Sequence, residues 1–136
     1  MDVHNKATRS YNMSRIKAKD TKPEMLVRKF LFSHGFRYRI HVNYLIGKPD
    51  IVLAKYKAVI FIHGCFWHAH EGCKYYVVPK SNTEFWINKL RNNTQRDAEN
   101  FSKLAASGWK IITIFECELK AEKLKQTLNN LLVELH

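Results

Sequence analysis

Three cysteines and two histidines are the residues of this chain best suited to binding a metal. Cys65 and Cys73 enclose an irregular stretch of sequence. His68 and His70 lie within that stretch, and Cys117 follows far downstream. Three thiolates and one imidazole form a closed tetrahedral set that suits a structural zinc ion. An odd cysteine count argues against a disulfide framework, whereas buried free thiols are the alternative. The pattern favours zinc and leaves His68 and His70 both open as the fourth ligand.

A carboxylate and a histidine beside two neighbouring predicted strands indicate a second metal site. Asp50 follows the Gly47-Lys48-Pro49 turn and opens one strand, and His63 ends the next strand. Polar groups on adjacent strands can converge on magnesium, which takes few carboxylates together with water and phosphate oxygens. This is the layout of the nuclease fold PD-(D/E)xK, although its second acidic residue and its lysine are absent here. Pro-Asp before a strand is also common in ordinary turns, so this pattern alone is weak evidence for a metal site.

Asp97 and two Phe-Trp pairs are further candidates for function. Asp97 lies in the middle of a predicted helix, where aspartate is disfavoured without a specific role. It can orient a catalytic imidazole, and the default alternative is an exposed ion pair with Arg96. The aromatic pairs at 66–67 and 85–86 lie at or near loop and helix-start positions. Such residues are usually core, but in a very basic protein they also fit stacking against bases.

Net charge gives the strongest global indication of a partner. The chain has 23 Lys and Arg residues against 12 acidic residues, a formal net charge of +11. This excess favours a polyanionic partner, most commonly nucleic acid, although a merely soluble basic protein shows the same balance. An anionic membrane surface is less favoured, because no helix combines a strongly basic face with a broad apolar one. The polar N-terminal sequence predicts a cytoplasmic protein.

Periodicity and capping signals predict the elements that position these residues. Thr21, Pro23 and Glu24 mark a helix start with capping-box spacing, and Gly35 ends that helix. Strict alternation predicts a half-buried strand over 36–42. The same signals predict strands over 50–54, 58–63 and 110–115. They predict helices over 82–107 and 120–135. This order predicts an α/β fold, a mixed β-sheet flanked by helices, with the unbroken apolar run at 58–63 as a central strand.

The length of the chain predicts one compact domain preceded by a basic arm. The chain has 136 residues, enough for one hydrophobic core. Residues 1–20 are rich in basic side chains, including Lys6, Arg9 and Arg15, and hold few large apolar ones. We expect this segment to pack little by itself and to become ordered on DNA. Residues 21–136 form the predicted single domain.

Taken together, these residues closely resemble one family, the very-short-patch repair (Vsr) endonucleases. The likeness follows nearly the whole chain in order, and the run His-Gly-Cys-Phe-Trp-His at 63–68 is highly specific. The other matching stretches are Lys6-Ala7-Thr8-Arg9-Ser10, Asn12-Met13, Asp20-Thr21 with Glu24, Gly47-Lys48-Pro49-Asp50, Thr83-Glu84-Phe85-Trp86, Arg96-Asp97, Gly108-Trp109 and Glu116-Cys117-Glu118.

The resemblance implies a restriction-endonuclease-like fold and a strand-specific DNA mismatch endonuclease. Such an enzyme nicks 5′ to the T of a T:G mismatch, which arises when 5-methylcytosine deaminates, and leaves a 3′-hydroxyl and a 5′-phosphate. The implied partners are double-stranded DNA with a T:G mismatch and mismatch-repair proteins such as MutL, and a monomer suits this asymmetric substrate. The alternatives are a sequence-specific nicking or restriction-like endonuclease, and a catalytically inactive, zinc-stabilised DNA-binding module.

The resemblance also implies a role for each residue of the magnesium-dependent site. Asp50 is the magnesium-binding carboxylate, and the backbone carbonyl of Ile62 is a second ligand. His63 and Glu24 hold metal-bound water or phosphate. His68 activates the attacking water. Its expected orienting group is Asp97.

The zinc ligands and the DNA contacts are likewise assigned by the resemblance. Zinc is expected on Cys65, His70, Cys73 and Cys117, which gives His68 to catalysis. The aromatic wedge beside the mismatch is expected to consist of Phe66, Trp67 and Trp86. Position 115 is Phe, where the family leads us to expect Trp, and we interpret this as a packing change.

Overall fold

Three strands lie at the centre of the described part of the chain, which in this computed structural model comprises residues 21–65, 70, 73 and 77–136. They are β1 (Ile51–Leu53), β2 (Ala58–His63) and β3 (Lys110–Phe115). β2 pairs antiparallel with β1 and parallel with β3. Nearly all of β2 is buried. The prediction of a central strand over 58–63 is therefore confirmed.

Alternate residues of β2 belong to two separate cores, one on each face of the sheet. Ala58 and Ile60 pack with side chains of helices α1 (Lys22–Ser33) and α3 (Ala121–Leu135). Val59 and Phe61 pack on the opposite face with helix α2 (Thr83–Ala106). This arrangement follows from the two-residue period of a strand. The predicted mixed α/β architecture, a sheet flanked by helices, is confirmed at this level.

Helix α1 begins as its capping signals predict, but its buried stripe differs from the predicted one. The Glu24 amide donates to the Thr21 hydroxyl at 3.4 Å. The sequence predicts an apolar stripe through Met25, Leu26, Phe30 and Leu31, yet Met25 is 37% exposed. The buried residues are Glu24, Val27, Arg28 and Leu31. Their spacing is that of one helix face, so two charged residues occupy positions that apolar side chains normally fill.

The strand predicted over 36–42 is instead an extended segment with one isolated bridge to β1. Arg39 and Val52 exchange two backbone hydrogen bonds of 2.9 Å. The predicted alternation of faces survives, since Phe36 and Val42 are buried whereas His41 is exposed. His41 has a φ of 55°, a left-handed conformation that a strand cannot continue through. A regular strand over 36–42 therefore cannot run through His41.

The second half of the chain follows the predicted elements closely. Helices α2 and α3 and strand β3 begin and end within a residue of the predicted positions. None of the helices within the described residues combines the length and apolar character needed to cross a membrane. The proposed basic arm, residues 1–20, lies outside the described residues.

Candidate functional site

Asp50 is fixed at the edge of the central strand by two backbone contacts. Its amide donates to the carbonyl of Ile60 at 3.0 Å. Its carboxylate Oδ2 accepts the amide of Ile62 at 2.6 Å. A charged acceptor makes such a bond shorter and stronger than a neutral one. The residue that opens β1 therefore has its side chain held against β2.

Helix α1 brings a buried acidic residue and a buried basic residue to the same place. Glu24 is 6% exposed and Arg28 is 5% exposed. Arg28 Nη2 lies 3.0 Å from Glu24 Oε2. Glu24, Arg28 and Asp50 line one cleft of about 410 Å³. Its other lining residues are His41, Val42, Asn43, Lys48 and Pro49.

The electrostatics of this cleft favour a cation beside Asp50. Burial is the main cause that raises the pKa of Asp50 from 3.8 to about 6. The amide of Ile62 opposes this rise, the carboxylate of Glu24 adds to it and the guanidinium of Arg28 opposes it. The charges of Glu24 and Arg28 offset each other in their ion pair, so a cation beside the partly dehydrated carboxylate of Asp50 would stabilise its ionised form. Oxygen donors of this kind fit a hard divalent cation.

His63, the last residue of β2, is enclosed by aromatic rings. It is 5% exposed, and the ring of Phe101 stacks on it at 5.9 Å with an interplanar angle of 11°. Phe61 lies edge-on at 5.9 Å and Phe115 edge-on at 5.6 Å. These contacts orient an imidazole one residue beyond Ile62, the residue whose amide holds Asp50.

The Cys/His cluster predicted from the cysteines forms at the ends of β2 and β3. The ligand atoms of Cys65, His70, Cys73 and Cys117 all lie within 4.8 Å of one another. Cys117 Sγ lies 3.4 Å from His70 Nδ1. Four ligands in a tetrahedron around zinc lie roughly 3.5–3.8 Å apart, given bond lengths of about 2.0–2.3 Å. The cluster can hold a metal ion, and its donor set fits zinc.

Backbone hydrogen bonds connect Cys65, His70 and Cys73 to one another. The amide of His70 donates to the carbonyl of Cys65 at 2.9 Å, and the amide of Cys73 donates to the carbonyl of His70 at 3.3 Å. Burial raises the pKa of Cys65 to about 12, and it also raises the pKa of Cys117. A bound cation reverses this preference, because a coordinating thiol is deprotonated.

Trp86 lies in the first turn of α2 beside a partly exposed aromatic and basic group. Its ring packs edge-on against Phe85 at 5.3 Å, and Phe85 is 57% exposed. The ammonium of Lys89 lies 6.0 Å from the Trp86 ring centroid and 5.9 Å from that of Phe85. Asp97 is half-buried on the same helix, about three turns further on.

The structure thus unites Asp50, Ile62 and Glu24 in one place and the four proposed zinc ligands in another. Six predicted site residues, among them the proposed base His68, lie outside the described residues. The other five are Lys6, Arg9, Arg15, Phe66 and Trp67. Sequence reasoning missed Arg28, although its position four residues after Glu24 on the stripe with Val27 and Leu31 was a usable signal.

Comparisons with known proteins identify the family of this chain. The family model described as DNA mismatch endonuclease Vsr matches residues 1–74. The type II nicking enzyme V.NmeAIP of Neisseria meningitidis is 50% identical over 98% of this chain and 96% of its own length. The DNA mismatch endonuclease Vsr of Escherichia coli K12 is 44% identical over 90% of this chain and 78% of its own. The type II nicking enzyme V.XorIIP of Xanthomonas oryzae is 43% identical over 82% and 81%. This chain belongs to the Vsr family and is an endonuclease.

Proposed function

We propose that this protein nicks one strand of duplex DNA 5′ to the T of a T:G mismatch. The reaction is magnesium-dependent phosphodiester hydrolysis that leaves a 3′-hydroxyl and a 5′-phosphate. The observation that carries the proposal is the pair of carboxylates, Glu24 and Asp50, held in one cleft by Arg28 and the amide of Ile62. The relative from Escherichia coli, 44% identical, is named a DNA mismatch endonuclease, which supports the mismatch as substrate.

Asp50 and the carbonyl of Ile62 are the proposed magnesium ligands. The amide and carbonyl of one strand residue point to the same side, so the Ile62 carbonyl faces the edge where its amide meets Asp50. Glu24 and His63 hold water or a phosphate oxygen beside them. Bound magnesium would neutralise the charge that develops on the phosphoryl group.

His68 is the proposed general base, and Asp97 is its proposed orienting group. A neutral imidazole accepts the proton of the attacking water near neutral pH, because its unperturbed pKa is about 6.5. A carboxylate hydrogen-bonded to the other ring nitrogen fixes the tautomer and stabilises the imidazolium. Family likeness supports both assignments.

Zinc is the proposed resident of the cluster formed by Cys65, His70, Cys73 and Cys117. The closed set of four ligands supports a structural role, since a catalytic zinc site keeps a position for water. The restriction-endonuclease-like fold is likewise proposed, and the mixed sheet flanked by helices supports it.

Duplex DNA is the proposed partner, and a net charge of +11 supports it. The basic arm, residues 1–20 with Lys6, Arg9 and Arg15, is proposed to contact phosphates, while 21–136 form the catalytic domain. Phe66, Trp67 and Trp86 are the proposed wedge at the mismatch. We also propose that the enzyme acts as a monomer and cooperates with mismatch-repair proteins such as MutL.

A second candidate is a nicking enzyme that recognises a sequence and needs no mismatch. One observation favours it: a relative 50% identical over nearly the whole chain is named a type II nicking enzyme. Both candidate functions use the same cleft residues to hydrolyse DNA. They differ in the feature of the duplex that directs cleavage, which is a mismatch in the first and a base sequence in the second.

One nicking assay separates these functions. Duplexes of identical flanking sequence, with T:G, T:A or C:G at one position, are incubated with and without magnesium. We expect single-strand cleavage of the T:G duplex alone, only with magnesium. Single-turnover nicking by His68→Ala should fall about 10²–10⁴-fold with DNA binding retained, whereas Glu122→Gln, an exposed control on α3, should behave as wild type. Equal cleavage of all three duplexes would favour the second candidate, and binding without cleavage would leave only a DNA-binding module.

A further inference from the structure

The ring of Phe115 lies between the two centres described above. It meets His63 edge-on at 5.6 Å with an interplanar angle of 81°. It meets His70 face-on at 3.8 Å with an interplanar angle of 9°. One side chain therefore contacts both a residue of the nuclease site and a member of the Cys/His cluster.

The strand register explains why this contact forms. Phe115 and His63 are direct partners at the carboxyl ends of the parallel strands β3 and β2. Two residues further along each strand direction lie Cys117 and Cys65, both in the cluster. A metal on these thiols would tie the ends of the two strands together just beyond the paired rings. The spacing of the ring pair would then depend on the metal.

The geometry of the stack also indicates dependence on a cation. Two neutral rings prefer offset or edge-on arrangements with centroids about 4.5–7 Å apart, rather than a face-to-face sandwich. Phe115 and His70 are closer and nearly parallel. An imidazole that binds a cation loses electron density, and a positively charged ring is attracted to the face of a phenyl ring. Metal binding at His70 would therefore strengthen this contact.

We propose that Phe115 is a positioning residue that couples the Cys/His metal centre to His63. The metal fixes His70 and the two strand ends, Phe115 stacks on His70, and its ring holds the imidazole of His63 in place. Its effect on nicking rests on the proposed function, whereas its effect on the His63 ring does not. A larger ring can replace it, since Phe115 and His70 line a cleft of about 530 Å³ between β3 and α3.

The test follows the imidazole of His63 by NMR in histidine-labelled protein, with the signal assigned from His63→Gln. Zinc-loaded and cadmium-loaded protein are compared, because the larger ion changes the cluster without emptying it. We expect the His63 signal to shift between the two metals in wild type. The shift should disappear in Phe115→Leu and return in Phe115→Tyr and Phe115→Trp. Phe101→Leu is the matched control: it removes the ring stacked on His63 from α2 and should keep the metal response.

Single-turnover nicking provides the second measurement. Phe115→Leu should lower the rate about 10- to 100-fold, because a misplacement of about 1 Å in a positioning group can cost up to about 10²-fold, with DNA affinity unchanged and rescue by Phe115→Tyr. A His63 signal that ignores the metal in wild type, or that responds fully in Phe115→Leu, would overturn the proposal. If Phe115→Leu fails to fold, Phe115→Met under the same comparison decides it. Wild type that nicks no duplex but shows the metal response would refute the proposed function alone.

Discussion

Asp50 meets three different neighbours in the cleft: the amide of Ile62, the carboxylate of Glu24 and the guanidinium of Arg28. Burial dominates, so the pKa of its carboxyl rises to about 6. The carboxyl of Asp50 therefore ionises less readily in the folded protein than in a free aspartate. A cation at the proposed magnesium site would stabilise the ionised form and offset the cost of its burial.

Asp50→Asn should abolish nicking and stabilise the magnesium-free protein. Since the folded-state pKa of Asp50 lies above 3.8, the folded state binds more protons than the unfolded state between pH 4 and about 6, so wild type loses stability as the pH rises through this window. Asparagine does not ionise and keeps an acceptor for Ile62. Urea unfolding should show Asp50→Asn gaining on the order of 1–3 kcal/mol over wild type at pH 7, and little at pH 4. An equal gain at both values would contradict the ionisation argument.

Arg28→Met should destabilise the protein strongly although it keeps an apolar stem. Removing one partner of a buried ion pair leaves an uncompensated charge, at a cost of about 3–5 kcal/mol. The free energy of unfolding in urea measures this cost, and Arg91→Met, at an exposed position of α2, is the matched control. A loss below about 1 kcal/mol, typical of an exposed pair, would show that the Glu24–Arg28 pair is effectively solvated.

The side chains of the two candidate sites come from several helices and strands and lie at one end of the sheet. The parallel strands β2 and β3 end side by side, so His63 and Phe115 pair directly and the thiols that follow them converge. Helix α1 places Glu24 and Arg28 beside the start of β1. The bridge between Arg39 and Val52 places the 36–42 segment next to the same strand, with Val42 and His41 on the cleft wall.

Cys73→Ser should remove zinc and loosen the loop between β2 and α2. We expect about one zinc per purified wild-type chain and binding linked to folding, because ligand thiols must be deprotonated and the site assembled together. The variant should contain less zinc, lose thermal stability, and fail to recover it when zinc is added. Metal analysis and thermal unfolding provide the readouts. Zinc-free wild type that resists a chelator without loss of stability would disprove a structural zinc.

The molecule as a whole combines a strongly positive charge with a partly exposed aromatic group at the start of α2. Phosphate contacts supply sequence-independent affinity that weakens with salt. Aromatic rings that enter the duplex respond instead to how easily a base step unstacks, which a mismatch favours. Affinity and discrimination should therefore reside in separable parts of the surface.

Trp86→Ala should reduce the preference for T:G over T:A by roughly 10-fold, since a lost stacking contact costs about 1–3 kcal/mol. The salt dependence of binding should stay as in wild type, because no phosphate-contacting charge is changed. Binding titrations on both duplexes at two salt concentrations test this, and the T:A duplex is the internal control. Unchanged preference would place Trp86 in the core packing of α2.

Local patterns in the sequence were sufficient to predict several elements of this protein. Hydrophobic period and capping predicted α1, α2, α3, β2 and β3, because the buried positions of a helix or strand recur with the period of that element. The cysteines at 65, 73 and 117 and the acidic residue at 50 marked the two centres by residue type alone.

Contacts between residues far apart in sequence depend on how the helices and strands pack. The left-handed backbone at His41 ended a strand that alternation predicted. Arg28 is a site residue because helix α1 places Glu24 and Arg28 beside Asp50. In the sequence, the apolar residues on the same helix face made this face resemble ordinary core. Phe115 lies against His63 because of the parallel register of β2 and β3, and its other neighbour, His70, is distant in sequence. These contacts depend on how elements pack, and no periodicity within one element encodes them.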